Sequence, residues 1–354
     1  MKKNISMISL LGGFALLIAG AVLLSSCEGP AGPPGLDGED GEDGRDANET
    51  CIICHNAEVV LLAKQQQTLS SHHLTGGNYG RNHTDCAVCH THQGFIEVQA
   101  TGLLETANTI DDPAPINCRT CHLIHHNYDE SDWGLVTTSA VDLRHGDATV
   151  DLGGSDNLCV NCHQSLALNP LPVPGGADVS IVSSRYGPHH GPQANTLWGV
   201  GGYEIEGSKS YPAPGTHAHA NAGCVMCHMA EVPYGGVTAG GHTFNMTYEY
   251  HGSTEENING CVGCHQSLEE FDYNDLQTEV EGLMAQIQAI MVTNGWLTES
   301  GSVIASSGTP LVLSPDEAGA IVNFKTMEED RSHGIHNPVY TVALLTNTLE
   351  SLGK

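Results

Sequence analysis

The sequence is short of the side chains that usually fill an interior: 5 Phe and 3 Trp in 354 residues, with aromatics at 5% and all apolar residues at 40%. A chain of this length, enough for one large domain or two ordinary ones, normally buries more bulk than that. Part of the interior is therefore expected to be something other than side chain. Positive charge is scarce too. Twelve Lys plus Arg stand against 41 Asp plus Glu, a formal net charge of -29, which sets aside nucleic acid and anionic lipid surfaces as partners. Long apolar runs are missing as well: the stretch from Leu10 to Leu24 is interrupted by Gly12, Gly13 and Gly20, short of the about 20 apolar residues that a span requires.

What is present begins with Lys2 and Lys3 ahead of that run and Leu24, Ser25, Ser26 and Cys27 behind it. This layout predicts a cleaved export signal over residues 1–26. Its end resembles the lipobox of bacterial lipoproteins, which implies that Cys27 becomes the lipidated first residue; the plainer alternative is an ordinary signal with a stray cysteine. Cleavage removes two lysines and no acid, leaving 10 basic against 41 acidic residues. Glu28, where an Asp would favour retention at the inner membrane, points to the outer membrane. Glycine then recurs at Gly29, Gly32, Gly35, Gly38, Gly41 and Gly44, so residues 27–48 read as a lipidated cysteine and a collagen-like spacer. Extended as polyproline II, such a tract reaches about 55 Å. A trimeric collagen helix is the sharper alternative, opposed by the acids of the later triplets.

The other twelve cysteines form six Cys-x-x-Cys pairs, each followed at once by histidine: Cys51, Cys54 and His55; Cys86, Cys89 and His90; Cys118, Cys121 and His122; Cys159, Cys162 and His163; Cys224, Cys227 and His228; Cys261, Cys264 and His265. Two thiols three positions apart can form thioethers to the two vinyl groups of one haem, and the adjacent imidazole then lies under the iron as an axial ligand. Zinc knuckles need two pairs per metal and have no reason to place histidine after every pair. A disulfide across two residues is strained, and a thioredoxin-like site would be a single motif in a βαβ pattern. Six complete motifs in an exported chain predict six covalent haem c groups, whose porphyrins also account for the missing aromatics. Successive first cysteines are 35, 32, 41, 65 and 37 residues apart, too close for each haem to own a domain.

The motifs and the histidines around them resemble exported multihaem cytochromes c related to nitrite reductases, including outer-surface electron-transfer cytochromes, over roughly residues 49–340. The residues that carry the resemblance are Ser71-His72-His73 before the second motif and its continuation to Phe95, and Cys118 through His125. Further on come Gly187 through Gln193, Thr216 through His219 before the fifth motif, Gly240-Gly-His242-Thr-Phe, and Asp330 through Pro338. The resemblance implies a mainly α fold with extensive loops, organised around a chain of closely packed haems. It also implies distal histidines that reach haems other than their sequence neighbours: His73 (or His72), His125, His189 (or His190), His217 (or His219), His242 and His336. His83, His92, His126, His145, His251 and His333 are left as structural or exposed, and Met229 is the nearest methionine alternative. No Cys-x-x-Cys-Lys variant, the mark of the catalytic haem in ammonia-forming nitrite reductases, occurs.

Between Gly76 and Asp272 the density of Gly, Pro, Asn and Asp predicts loops and short helical turns. Leu276, Val280, Leu283, Met284, Ile287, Ile290 and Met291 recur at helical spacing, with Gly282 as a weak point. Ser314, Pro315 and Glu317 form a helix-start signature, a last helix follows Pro338 up to Leu349, and a short hairpin is expected between Asn294 and Leu313. The cytochrome domain is placed at 49–354, its motifs at 51–265 and a helical segment at 266–354.

Two functions follow. In the first the chain is a non-catalytic carrier, exchanging electrons with redox proteins or an extracellular acceptor from an outer-membrane lipoprotein on the periplasmic or surface face. In the alternative it reduces nitrite, hydroxylamine or a similar small oxyanion at one open haem beside Arg81, Arg144, Arg185, Tyr186 or His145. Assembly into a haem filament, with a distal ligand from the next subunit, is a third reading, opposed by lipidation at Cys27.

Overall fold

The computed structural model describes residues 51, 55, 59–232 and 236–353. The export signal, Cys27, the glycine triplets and Cys54 lie outside the described residues.

Up to residue 272 the regular elements are short. Helices α1 (Val59–Leu69), α2 (His72–Thr75), α3 (Ala87–His90), α4 (His92–Thr101) and α5 (Cys118–Cys121) are followed by α6 (Asp156–Val160), α7 (Gln193–Trp198), α8 (Ala218–Ala222) and α9 (Val225–His228). Side-chain caps start several of them: Ser71 accepts from the His73 amide, Thr91 from Gly94, and Asn117 makes a reciprocal capping box with Thr120. A Cβ on Gly94 would meet the Ala87 carbonyl oxygen at 2.3 Å, so only glycine lets α4 lie this close to α3.

Strands β1 (Val141–Asp142) and β2 (Thr149–Val150) pair antiparallel, as do β4 (Thr247–Tyr250) and β5 (Ser253–Glu256); β3 (Val179–Ile181) pairs antiparallel with β6 (Leu311–Leu313), Val179 opposite Leu313 and Ile181 opposite Leu311. The short hairpin expected between Asn294 and Leu313 is present around an antiparallel bridge of Leu297 with Val303, the Thr298 amide donating to the Ser302 carbonyl and the Ile304 amide to that of Trp296, each at 2.8 Å. Leu311 and Leu313 are not part of it, pairing instead with a strand about 130 residues earlier. An alternating pattern specifies a buried face but not which strand covers it.

The last third is different. Helices α10 (Leu276–Thr293), α11 (Pro315–Asp330) and α12 (Pro338–Leu352) pack around Ile287, Met291, Ile321, Phe324, Tyr340 and Leu344. Along α10 the buried positions are Val280, Ile287 and Met291, the inner stripe of the apolar spacing. Ser314 and Glu317 cap each other at the start of α11, with Pro315 in its first turn. A smaller cluster joins Leu143, Val150, Val160, Ala194 and Val200. Among the described residues the one sizeable side-chain core thus lies beside α10–α12, while Met226 and Val262, inside the fifth and sixth motifs, are exposed. Among the described residues no helix is long and apolar enough to cross a membrane.

Candidate functional site

A helical-turn hydrogen bond links the first cysteine and the histidine of each of the six motifs. The histidine amide donates to the carbonyl of the first cysteine four residues back: His55 to Cys51 at 2.7 Å, His90 to Cys86 at 3.1 Å, His122 to Cys118 at 2.9 Å, His163 to Cys159 at 3.0 Å, His228 to Cys224 and His265 to Cys261 at 2.9 Å. Positions i, i+3 and i+4 of a helical turn share a face, so in the five motifs from Cys86 onward this backbone turns both thiols and the imidazole to one side.

Opposite each motif histidine stands another histidine from a distant part of the chain. The ring centroids are 6.2 Å apart for His55 and His125, 6.3 Å for His90 and His189, 6.1 Å for His122 and His242, 5.9 Å for His163 and His73, 6.4 Å for His228 and His336, and 6.1 Å for His265 and His219. A ligating imidazole nitrogen lies about 2.0 Å from its metal. Adding about 1.1 Å from nitrogen to ring centre, two rings on opposite faces of one ion come out about 6 Å apart. All six pairs fall on that value.

At the sixth pair the expectation shifts by two residues: His219, not His217, faces His265. His217 is the N-cap of α8, its Nδ1 accepting from the His219 amide at 3.2 Å, which commits its ring to the helix end. His72 and His190 likewise stand aside, His190 bonding Glu329 at 2.8 Å.

Different local devices aim the distal rings. His73 rides on α2 and His219 on α8. His125 and His189 sit at φ of 67° and 65°, in the left-handed region. The carboxylate of Asp132 holds the first by accepting from the amides of His125 and Asn127 at 2.7 Å and of Tyr128 at 3.1 Å. His242 lies in a 3-10 turn after two left-handed glycines, its amide donating to Gln67 Oε1 at 3.1 Å.

Hydrogen bonds at Nδ1 leave Nε2 free to face the partner ring. Nδ1 of His122 donates to the Trp133 carbonyl at 2.7 Å, of His228 to Phe244 at 3.1 Å, of His219 to Ile335 at 2.6 Å, of His163 to Gln193 Oε1 at 3.2 Å and of His336 to Asp330 Oδ1 at 2.8 Å. The unpaired His145 has the reverse arrangement, its Nε2 donating to Gly201 at 2.9 Å. Desolvation, with His163, His72 and His228 nearby, lowers His73 to about 4; desolvation and then Arg81 lower His90 to about 4. Desolvation also lowers His163, His189, His219, His228 and His242. The neutral ring, the form that binds metals, is thereby favoured. At His336 burial acts downward and the Asp330 carboxylate upward, and the carboxylate prevails.

The motifs also touch one another. Thiols of neighbouring motifs lie close together, Cys89 to Cys162, Cys159 to Cys224 and Cys227 to Cys261. Cys121 is within electrostatic range of Cys159 and Cys162. His122 and His125, three residues apart, belong to different pairs. The six sites are therefore contiguous in the order first, third, fourth, fifth, sixth, with the second branching from the fourth.

Among the described residues no three His, Cys, Asp or Glu gather into a metal cluster. Two imidazoles on one axis supply two donors of an octahedral ion, and a porphyrin supplies four more in its plane. The cysteines described in the motifs, the narrow band of separations and the exposed Met226 and Val262 within two of the motifs fit that group. A cavity of about 260 Å³ against Val88 has a mixed lining, Phe95, Val98 and Leu103 beside Gln99, Asp142 and Arg144, and among the described residues no motif cysteine or histidine lines it. The residues named for an open catalytic position are not assembled into one. Tyr186 is buried with its hydroxyl donating to Pro170 at 2.9 Å, Arg144 donates to the Leu104 carbonyl at 3.0 Å, and His145 is committed to Gly201. Arg81 lies near His90 and His189, and Arg185 near His189. Of the residues that orient the paired rings, Gln193 and Asp330 stand in the sequence only as carriers of the resemblance, without a role, and Asp132 carries no sequence signal. Asp330, six residues before His336, was the one most open to detection.

No family model matches the chain, and no curated protein matches it. Among solved structures it is similar to the crystal structure of the outer cell wall cytochrome OcwA, at 19% identity and a TM-score of 0.49, over 82% of this chain and 50% of that one. The chain thus spans half the length of the cytochrome it matches.

Proposed function

We propose that the chain is an exported c-type cytochrome that carries electrons through six bis-histidine haems. The observation that carries this reading is the set of six motif histidines, each facing a second histidine at 5.9 to 6.4 Å. The twelve motif cysteines would hold the haems by thioethers; the axial ligands would be His55 with His125, His90 with His189, His122 with His242, His163 with His73, His228 with His336, and His265 with His219. Haem iron supplies reversible one-electron exchange. The chain's own contribution is orientation and closure. Nδ1 hydrogen bonds fix ring direction, and a protein ligand on each face keeps substrates from the metal, which argues for a carrier over a reductase. Thiol contacts between motifs keep neighbouring sites close, so charge can pass along the molecule. Cross-linking by distal histidines also ties remote segments together, adding to the side-chain clusters of that part of the chain.

In this reading residues 1–26 are cleaved, Cys27 is lipidated and residues 27–48 hold the domain away from the outer membrane, where redox proteins or an extracellular acceptor exchange electrons with it. Full-length protein from a cytochrome-maturing host is expected to carry six haems by the pyridine haemochrome assay and to travel with the membrane fraction unless Cys27 is replaced. A haem count well below six, or turnover of nitrite or hydroxylamine by the purified protein, would count against it.

A further inference from the structure

We infer that Asp330 is a positioning residue that sets the His228/His336 site apart, giving it the lowest reduction potential of the six. The inference rests on the haem reading above.

The site is distinguished by the charge of one acceptor. His336 Nδ1 donates to Asp330 Oδ1 at 2.8 Å, and the side chain of Asp330 is 1% exposed. The other carboxylate oxygen accepts from Ser332 Oγ, and Ser332 Oγ in turn accepts from the His336 amide at 3.2 Å. At the other sites the Nδ1 acceptors found are neutral: the carbonyls of Trp133, Phe244 and Ile335 and the amide of Gln193. A carboxylate draws the Nδ1 proton harder than a carbonyl does, so Nε2 becomes a stronger donor to a metal. Stronger donation, and a negative charge held out of water close to the metal, favour the oxidised form. Asp330 also ends α11, whose C-terminal carbonyls carry negative partial charge of the same sign.

The location gives this a consequence. The Cys159–Cys224 and Cys227–Cys261 contacts put the site between that of His163 and that of His265. A low potential there makes it the uphill step between the sixth site and the rest.

The test is spectroelectrochemical titration of the matured full-length protein and three variants, with haem counted in every sample. Asp330→Asn is expected to raise the lowest-potential component so that its reduced-to-oxidised ratio at fixed poise increases at least tenfold, about 59 mV for one electron. Ser332→Ala, which leaves the carboxylate more basic, is expected to move the same component downward. Glu329→Gln removes a charge from the same helix end, but one bonded to the non-ligand His190, and should leave the ratio within threefold. An unmoved component in Asp330→Asn, or equal shifts in Asp330→Asn and Glu329→Gln, would overturn the inference. Should Asp330→Asn fail to mature, Ser332→Ala decides alone, and an unchanged or raised potential overturns it. Too few haems in the unaltered protein would instead defeat the functional reading.

Discussion

At His125 the backbone is left-handed, with φ of 67°, a conformation that costs a non-glycine residue about 1 kcal/mol or more. Three amide bonds to Asp132 offset it. Burial alone would raise the Asp132 carboxyl, but the amides outweigh burial and hold it below its usual value. A depressed carboxyl contributes stability above the unfolded pKa of about 3.9 and loses it as pH falls through the lower folded value. A Soret titration should therefore show the His55/His125 site changing only at pH below about 4, and Asp132→Asn should show that change already at neutral pH; identical profiles would remove Asp132 from the account. A second residue-scale test separates the doublet. His219→Ala should convert one haem of the set to high spin, whereas His217→Ala should leave spin state unchanged and cost about 1 kcal/mol through the lost helix cap, read as a lower denaturant midpoint.

The elements divide by how local their causes are. Each Cys-x-x-Cys-His turn is encoded within five residues, so the positions of all six were legible in the sequence. Helices α10 to α12 lie over residues whose apolar spacing and caps are equally local. Distal partnership is not local: which member of His217 and His219 faces His265 depends on the turn at Ile335, 116 residues from His219, and β6 finds its partner across a similar distance. The roles of Asp132 and Asp330 were hidden for the same reason, since one buried acid reads like any other until its neighbours are known. The C-terminal helices can be tested as an ordinary core. Ile287→Ala should cost about 2 to 5 kcal/mol. At the exposed Gly282, where an added Cβ meets nothing within 4 Å, alanine should stabilise by about 0.5 to 1 kcal/mol. Equilibrium denaturation checks both, and a stabilising Ile287→Ala would show that the helices do not pack as described.

Across the described residues two ways of filling an interior coexist: side-chain cores, the larger around α10–α12 and the smaller around Val150 and Val160, and paired histidines with paired cysteines. The ring pairs also fall into two classes. Interplanar angles are 34°, 33° and 38° at the first, third and fifth sites but 88°, 73° and 71° at the second, fourth and sixth. Axial rings nearer perpendicular give a more anisotropic low-spin ferric signal than rings nearer parallel. The most direct measurement is therefore low-temperature EPR of the oxidised, matured protein, integrated against its haem content. The account predicts six low-spin centres per chain in two classes of three, with no high-spin signal; a stoichiometric high-spin haem, or a product without haem, would contradict it.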